Sequence, residues 1–147
     1  MALSLRAARR GDAPALAALD AAATDFPWSE SQFGESIASH RVAVLEEAGE
    51  LLGLLVHQRV LDEAELLNVA VAPKVQGQGH GARLINHLMD AHRGQARRLL
   101  LEVRASNRRA IDLYGRCGFV RVAVRKGYYP SAQGREDAWI MAYEYPR

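Results

Sequence analysis

The stretch QGQGHGA, residues 76–82, puts glycines at 77, 79 and 81 directly ahead of the apolar-periodic run RLINHLMDAH. Alternate glycines at a helix entrance leave several backbone N–H groups unshielded, and the helix dipole adds positive potential at the same place. Together these features suit a phosphate. A flexible turn is the plainest alternative. A Walker A loop is excluded because no Gly-Lys-Ser/Thr follows. A dinucleotide fingerprint is formally met, with Gly77, Gly79 and Ala82 as G-x-G-x-x-A and Glu102 ending the next strand where a ribose-binding acid belongs. Against it, APKVQ separates the first glycine from the preceding strand, and the motif lies mid-chain with one such crossover.

Other side chains with usable chemistry follow the loop. Glu102 sits in LLLEV among core-type neighbours. A carboxylate buried there without a partner costs several kcal/mol, so it needs either an internal ion partner or a polar cavity. Tyr114 follows in the next helix and reads as a core aromatic on the face of Ala110 and Ile111, with Asn107 as that helix's cap. Cys117 is the single cysteine. It cannot form an internal disulfide, and its helix-end position suits packing better than nucleophilic catalysis. The five histidines contain no H-x-x-x-H pair, so no catalytic metal is expected.

These groups have to be held by alternating elements. LSLRAA reads as an opening strand, after which Asp12 is expected to cap a helix running to about Ala23, with Leu16 and Leu19 facing inward. Ser29 and Gln32 have capping-box spacing for a second helix, with Phe33 and Ile37 one turn apart. RVAVLEE and LLGLLVHQRV form two strands about a glycine-containing turn, and a third strand covers Glu65 to Val71. From there, strand, glycine loop, helix to His92 and strand RLLLEV make a βαβ unit, which requires a parallel pair and a right-handed crossover. A helix from Asn107 to Cys117 and strands near 119–125 and 138–145 complete a mixed α/β sheet. Such sheets bind ligands at the carboxyl ends of parallel strands.

Composition sets bounds. A chain of 147 residues, 49% hydrophobic and 24% charged, is an ordinary single globular domain, and a net charge of +2 argues against a dedicated nucleic-acid binder. The longest clean apolar run, LLGLLV, is too short to cross a bilayer. No basic-then-apolar leader opens the sequence, and a cytoplasmic location is expected.

The whole phrase LLNVAVAPKVQGQGHGARL, with Q-x-x-G-x-G at Gln76, Gly79 and Gly81, resembles the acetyl-CoA motif of the GCN5-related N-acetyltransferases. LEVRASNRRAIDLYGRCGF is similar to the second half of the same cofactor site, and FPWSE to the substrate-side helix connection. RKGYYPSAQGREDAWIM resembles the tail of one branch, the ribosomal-protein-alanine N-acetyltransferases. The resemblance covers nearly the entire chain, and residues 1–147 are expected to form a single domain. It implies a mostly antiparallel sheet with one central parallel pair splayed at the acetyl-CoA site and helices on both faces.

It also implies roles. Backbone amides of Gly77, Gln78, Gly79, His80, Gly81 and Ala82 would hold the pyrophosphate of acetyl-CoA. Val69, Ala70 and Val71 would lie along the pantetheine arm, with Val71 N–H toward the thioester oxygen, and Asn107 would bond the same arm. Glu102 would deprotonate the amine, through water, and Tyr114 would protonate the departing thiolate. Trp28, Tyr128 and Tyr129 would wall the peptide groove, with Glu136 or Asp137 attracting a positively charged peptide start. An α-amine of pKa about 7.7–8.0 is roughly a tenth neutral at pH 7, a lysine near 10.4 only about four parts in ten thousand, so one carboxylate serves an N-terminus more readily. The expected partner is the N-terminus, an alanine, of a small-subunit ribosomal protein, with no membrane or direct nucleic-acid contact and a monomer favoured. Rival readings are acetylation of internal lysines or a small amine, and a non-catalytic acyl-CoA-binding module.

Overall fold

The computed structural model describes residues 2–146. Those residues form a seven-stranded mixed sheet with four α-helices: β1 (Leu3–Ala7), α1 (Ala13–Ala23), α2 (Glu30–Ser39), β2 (Arg41–Glu47), β3 (Glu50–Val60), β4 (Glu63–Val71), α3 (His80–His92), β5 (Arg98–Arg104), α4 (Arg108–Arg116), β6 (Val120–Ser131) and β7 (Gly134–Glu144). The strand order is β1-β2-β3-β4-β5-β7-β6, and β4 with β5 is the parallel pair. By contact the chain divides into two compact units, one containing residues up to Gln58 with Leu67–Leu88, the other Arg59–Leu66 with Met89 onward.

In the first unit, α1 and α2 supply Leu16, Leu19 and Phe33 to a core that also takes Val42, Val44, Leu54, Val56 and Ala70 from the strands. The β2–β3 turn places both Ala48 (φ 54°) and Gly49 (φ 81°) in the left-handed region, as a tight primed hairpin turn requires. Ser29 and Gln32 form the expected reciprocal cap on α2, with Ser29 N–H donating to Gln32 Oε1 at 2.8 Å and Gln32 N–H to Ser29 Oγ at 3.1 Å.

Asp12 departs from expectation. Its side chain makes no cap bond to α1. Instead it turns back, accepting from Arg9 N–H at 2.7 Å and from the Arg6 guanidinium at 2.8 and 3.1 Å. A cation facing it from β1 holds the carboxylate away from the helix. Its pKa is lowered, first by that Arg6 hydrogen bond.

Helix α3 lies close on the sheet at Gly53. A Cβ there would meet Leu84 Cδ1 at 3.0 Å and the Ala70 carbonyl at 3.2 Å. Leu84, Ile85 and Leu88 are fully buried beneath it, so the start of α3 and the end of β4 are held against one piece of core.

In the second unit, β5 pairs antiparallel with β7 from Arg98↔Glu144 to Arg104↔Ala138. Leu99, Leu101 and Val103 are buried, as are Met141, Ile111, Tyr114 and Phe119. Two arginines brace the strand's entry, Arg98 reaching Glu63 at 2.7 Å and Arg97 reaching Asp62 at 3.3 Å. Strands β6 and β7 run further toward their turn than their apolar residues predict. They stay paired to Ser131↔Gly134, and side chains satisfy the irregular part.

Candidate active site

The glycine loop comes first. After β4 a single 3-10 turn, Pro73–Val75, leads into residues 76–79. Gln76 has φ −65°, Gly77 +82° and Gly79 +87°, and Gln78 keeps a negative φ. Gln76 is extended, with ψ 151°, and the left-handed conformations that follow at Gly77 and Gly79 are ones glycine adopts without steric cost. Helix α3 then begins, its first backbone bond running from Arg83 N–H to the Gly79 carbonyl at 3.1 Å. Helix geometry leaves the N–H groups of His80, Gly81 and Ala82 without intrahelical carbonyls. Gly77, Gln78 and Gly79 are exposed, while the His80 side chain folds inward and leaves the helix entrance bare. The loop therefore fits a phosphorylated ligand such as coenzyme A, with main-chain donors and nothing bulky in front of them.

Strand β4 leads into this loop. Its parallel register with β5 is three pairs long and ends at Glu65↔Leu100. On its other edge Ala72 N–H donates to the Leu52 carbonyl at 2.8 Å. Because backbone groups alternate along a strand, the N–H groups of Val69 and Val71 point away from β3. The Val71 carbonyl on that same edge accepts from the Gln76 side-chain amide at 3.0 Å, so the motif glutamine fixes the strand end.

On the same unit, Trp28 is half-buried, its ring tilted on Phe33 at 5.3 Å. Its N–H donates to Asp20 Oδ2 at 2.9 Å, and the Asn68 side-chain amide donates to the same oxygen at 3.1 Å. Asp20 is 2% exposed and thus joins α1, the α1–α2 connection and β4. Sequence reasoning missed it. The available signal was a carboxylate one helical turn after Leu16, on the face that carries the apolar stripe.

The second unit carries the titratable groups. Glu102 is exposed, not buried as LLLEV suggested, because alternation along β5 puts Leu101 and Val103 in the core and Glu102 on the other face. Its two oxygens are separately engaged: Arg125 Nε lies 3.4 Å from Oε1, and the Tyr129 hydroxyl donates to Oε2 over a long 3.4 Å. An accessible, oriented carboxylate of this kind can accept a proton. Tyr114 is 5% exposed, on α4, with its ring 6.0 Å from Phe119. Burial raises its phenol pKa well above the ordinary value, so it stays protonated across the physiological range. Asn107 caps α4, its Oδ1 accepting from Ala110 N–H at 3.2 Å. Cys117 follows that helix, and burial pushes its thiol up, which disfavours a nucleophilic thiolate.

Of the expected peptide-side residues, Tyr129 reaches Glu102, and Tyr128, Glu136 and Asp137 lie on the same β6·β7 hairpin, whereas Trp28 belongs to the other unit. Tyr128 and Tyr129 meet edge-on at 5.1 Å, and the Arg104 guanidinium stacks on Tyr129 at 4.3 Å. Glu136 is paired with Arg104 at 2.9 Å, and Ser106, then Arg104, hold its carboxyl below the usual range. Asp137 accepts from Gly127 N–H at 3.0 Å. Both acids thus have internal partners, Arg104 for Glu136 and Gly127 with Lys126 for Asp137, instead of the charged peptide start they were expected to face. Among the described residues no group of three or more His, Cys, Asp or Glu side chains is placed to hold a metal ion, and no helix is long and apolar enough to cross a membrane.

Residues 13–119 match the model of the acetyltransferase (GNAT) family. The chain is 45% identical over 134 residues to the [ribosomal protein bS18]-alanine N-acetyltransferase of Escherichia coli strain K12, covering 89% of this chain and 90% of that protein. Its likeness to the enzyme of the same name from Salmonella typhimurium is 44% over 134 residues, with the same coverage. The crystal structure of the ribosomal-protein-S18-alanine N-acetyltransferase from Escherichia coli matches with a TM-score of 0.91 at 40% identity, covering 97% of this chain and 94% of that one. Arabidopsis thaliana NAA60 in complex with acetyl-CoA shares the fold, with a TM-score of 0.85 at 18% identity over 97% of this chain and 98% of that one. The chain belongs to the GNAT acetyltransferase family and is an acetyl-CoA-dependent N-acetyltransferase.

Proposed function

We propose that residues 1–147 act as a single acetyltransferase domain that moves the acetyl group of acetyl-CoA onto the α-amine of the N-terminal alanine of ribosomal protein bS18. The near full-length likeness to enzymes bearing that name supports the substrate. The observation that carries the chemistry is Glu102, an accessible carboxylate oriented through both oxygens. Glu102 takes a proton from the substrate ammonium through water, and the neutral amine then attacks the thioester carbon directly. Val71 N–H is the donor to the oxygen that gains charge, where a fixed dipole is worth most in the transition state. Tyr114 hands its proton to the departing sulfur.

The backbone of Gly77–Ala82 holds the donor's pyrophosphate, and Val69, Ala70 and Asn107 bind its arm. Trp28, Tyr128 and Tyr129 line the peptide's path. A ribosomal-protein substrate places the reaction in the cytoplasm, and the monomer is the working unit, with no metal required.

Incubation of the protein with acetyl-CoA and the bS18 N-terminal peptide tests this reading by thiol release and mass spectrometry. A free α-amine should be acetylated and a blocked one should not. Equal thiol release from the blocked peptide, with acetyl on a lysine side chain, would overturn it in favour of lysine acetylation; binding without release would leave only an acyl-CoA-binding module.

A further inference from the structure

The β6·β7 register shifts twice, between Arg121 and Ala123 and, more widely, between Arg125 and Tyr129. Arg125 faces Ala138, and the next pair is Tyr129 with Glu136, so Lys126, Gly127 and Tyr128 stand opposite Asp137 alone. A bulge of this kind unpairs backbone groups and re-aims the side chains that follow it. Here two side chains of β7 take up the unpaired groups. Asp137 Oδ1 accepts from Gly127 N–H at 3.0 Å, while Arg135 donates through Nε to the Gly127 carbonyl at 2.6 Å and through Nη2 to the Tyr128 carbonyl at 3.0 Å. Lys126 Nζ lies 3.7 Å from the other Asp137 oxygen.

Immediately past this clamp stands Tyr129, whose hydroxyl reaches Glu102. Arg104 of β5 stacks on its ring and Tyr128 meets it edge-on, while Glu136 of β7 is the register partner of Tyr129 and pairs with Arg104; Arg125 stacks on Tyr128 and reaches Glu102, and Arg104 also donates to the Pro130 carbonyl at 2.7 Å. The Asp137 carboxylate is thus committed to the bulge and its lysine.

We propose that Asp137 and Arg135 are positioning residues: by clamping the β6 bulge they aim the Tyr129 hydroxyl at Glu102 and fix the carboxylate that accepts the proton. Asp137 acts through Tyr129 and does not touch the peptide. The inference rests on Glu102 being the base of the proposed reaction, and its test separates the two.

Asp137→Ala and Arg135→Ala, checked for folding by circular dichroism, should lose about tenfold or more in kcat, with acetyl-CoA affinity and peptide KM little changed. In a Tyr129→Phe background the same Asp137→Ala should cost less than about twofold, because residues acting as one unit are not additive. Asp137→Asn keeps the acceptor for Gly127 N–H and should restore most of the activity, whereas a residue that attracts a charged peptide would fail with Asn as with Ala.

A readout that needs no turnover comes from the Tyr129 phenol, whose pKa is raised first by burial and then by Glu102. In protein labelled with ring-¹³C tyrosine, assigned through Tyr129→Phe, the phenol should titrate at lower pH in Asp137→Ala, as it should in Glu102→Gln. Equal losses in both backgrounds, a raised peptide KM alone, or an unmoved phenol titration would overturn the proposal. If no α-amine is acetylated, the enzymatic reading fails by itself and the phenol titration still decides this one.

Discussion

Gly79 offers a substitution whose cost can be worked out beforehand. Its φ is +87° and nothing lies within 4 Å of a Cβ added there, so Gly79→Ala meets no steric obstacle and pays only for backbone conformation. That cost is about 1–2 kcal/mol for an L-residue in the left-handed region. Two outcomes share it. If the loop keeps its shape, the free protein carries the strain and unfolds at lower denaturant. If the loop relaxes, stability is nearly unchanged, but the strain must be restored on binding and the affinity for acetyl-CoA falls about 5- to 30-fold. Stability loss and affinity loss together should come to about 1–2 kcal/mol. Gly34, inside α2 with open space and no positive φ, is the control. Gly34→Ala should stabilise by about 0.5–1 kcal/mol and leave affinity alone. Urea unfolding and titration calorimetry measure both quantities. A Gly79→Ala protein equal to the parent in both would refute the argument that the left-handed loop presents the phosphate donors.

Further expectations concern single side chains. Asp12 has its pKa lowered by Arg6; its contribution is therefore complete above the unfolded value, about 4, and lost as pH falls through the lower folded value. Unfolding curves of Asp12→Asn should fall below the parent's at neutral pH and converge with them in strong acid, and a constant gap would contradict the linkage. Asp20→Ala strands the Trp28 N–H and the Asn68 amide, and should cost about 1–3 kcal/mol for each donor that water cannot reach. Denaturant midpoints measure this, and a change below a few tenths of a kcal/mol would show that the network is dispensable. Cys117→Ala should keep near-normal turnover in a thiol-release assay; loss of activity in the folded variant would point to a covalent route.

What could be read from the amino acids follows from how local each feature is. The α2 cap involves two residues three apart and was legible. The glycine loop was legible too, since positive φ at Gly77 and Gly79 is something few residue types allow. The parallel β4·β5 pair followed from connectivity. Features depending on a distant partner were hidden. Asp12 looked like a helix cap, and only the neighbouring strand brings Arg6 to it. Glu102 looked buried because a run of leucines conceals which residues of a strand share a face, and its real neighbours arrive from β6. The length of the β6·β7 hairpin was missed for a related reason. Its distal part is held by Arg135 and Asp137 side chains on backbone atoms, a pattern without apolar periodicity.

The functional assignment meets its most direct test in the mass of one protein. Ribosomes from a strain lacking this chain should contain bS18 with an unmodified N-terminal alanine, and the parental chain, but not Glu102→Gln, should restore the acetyl group. Fully acetylated bS18 in the deletion strain would contradict the account.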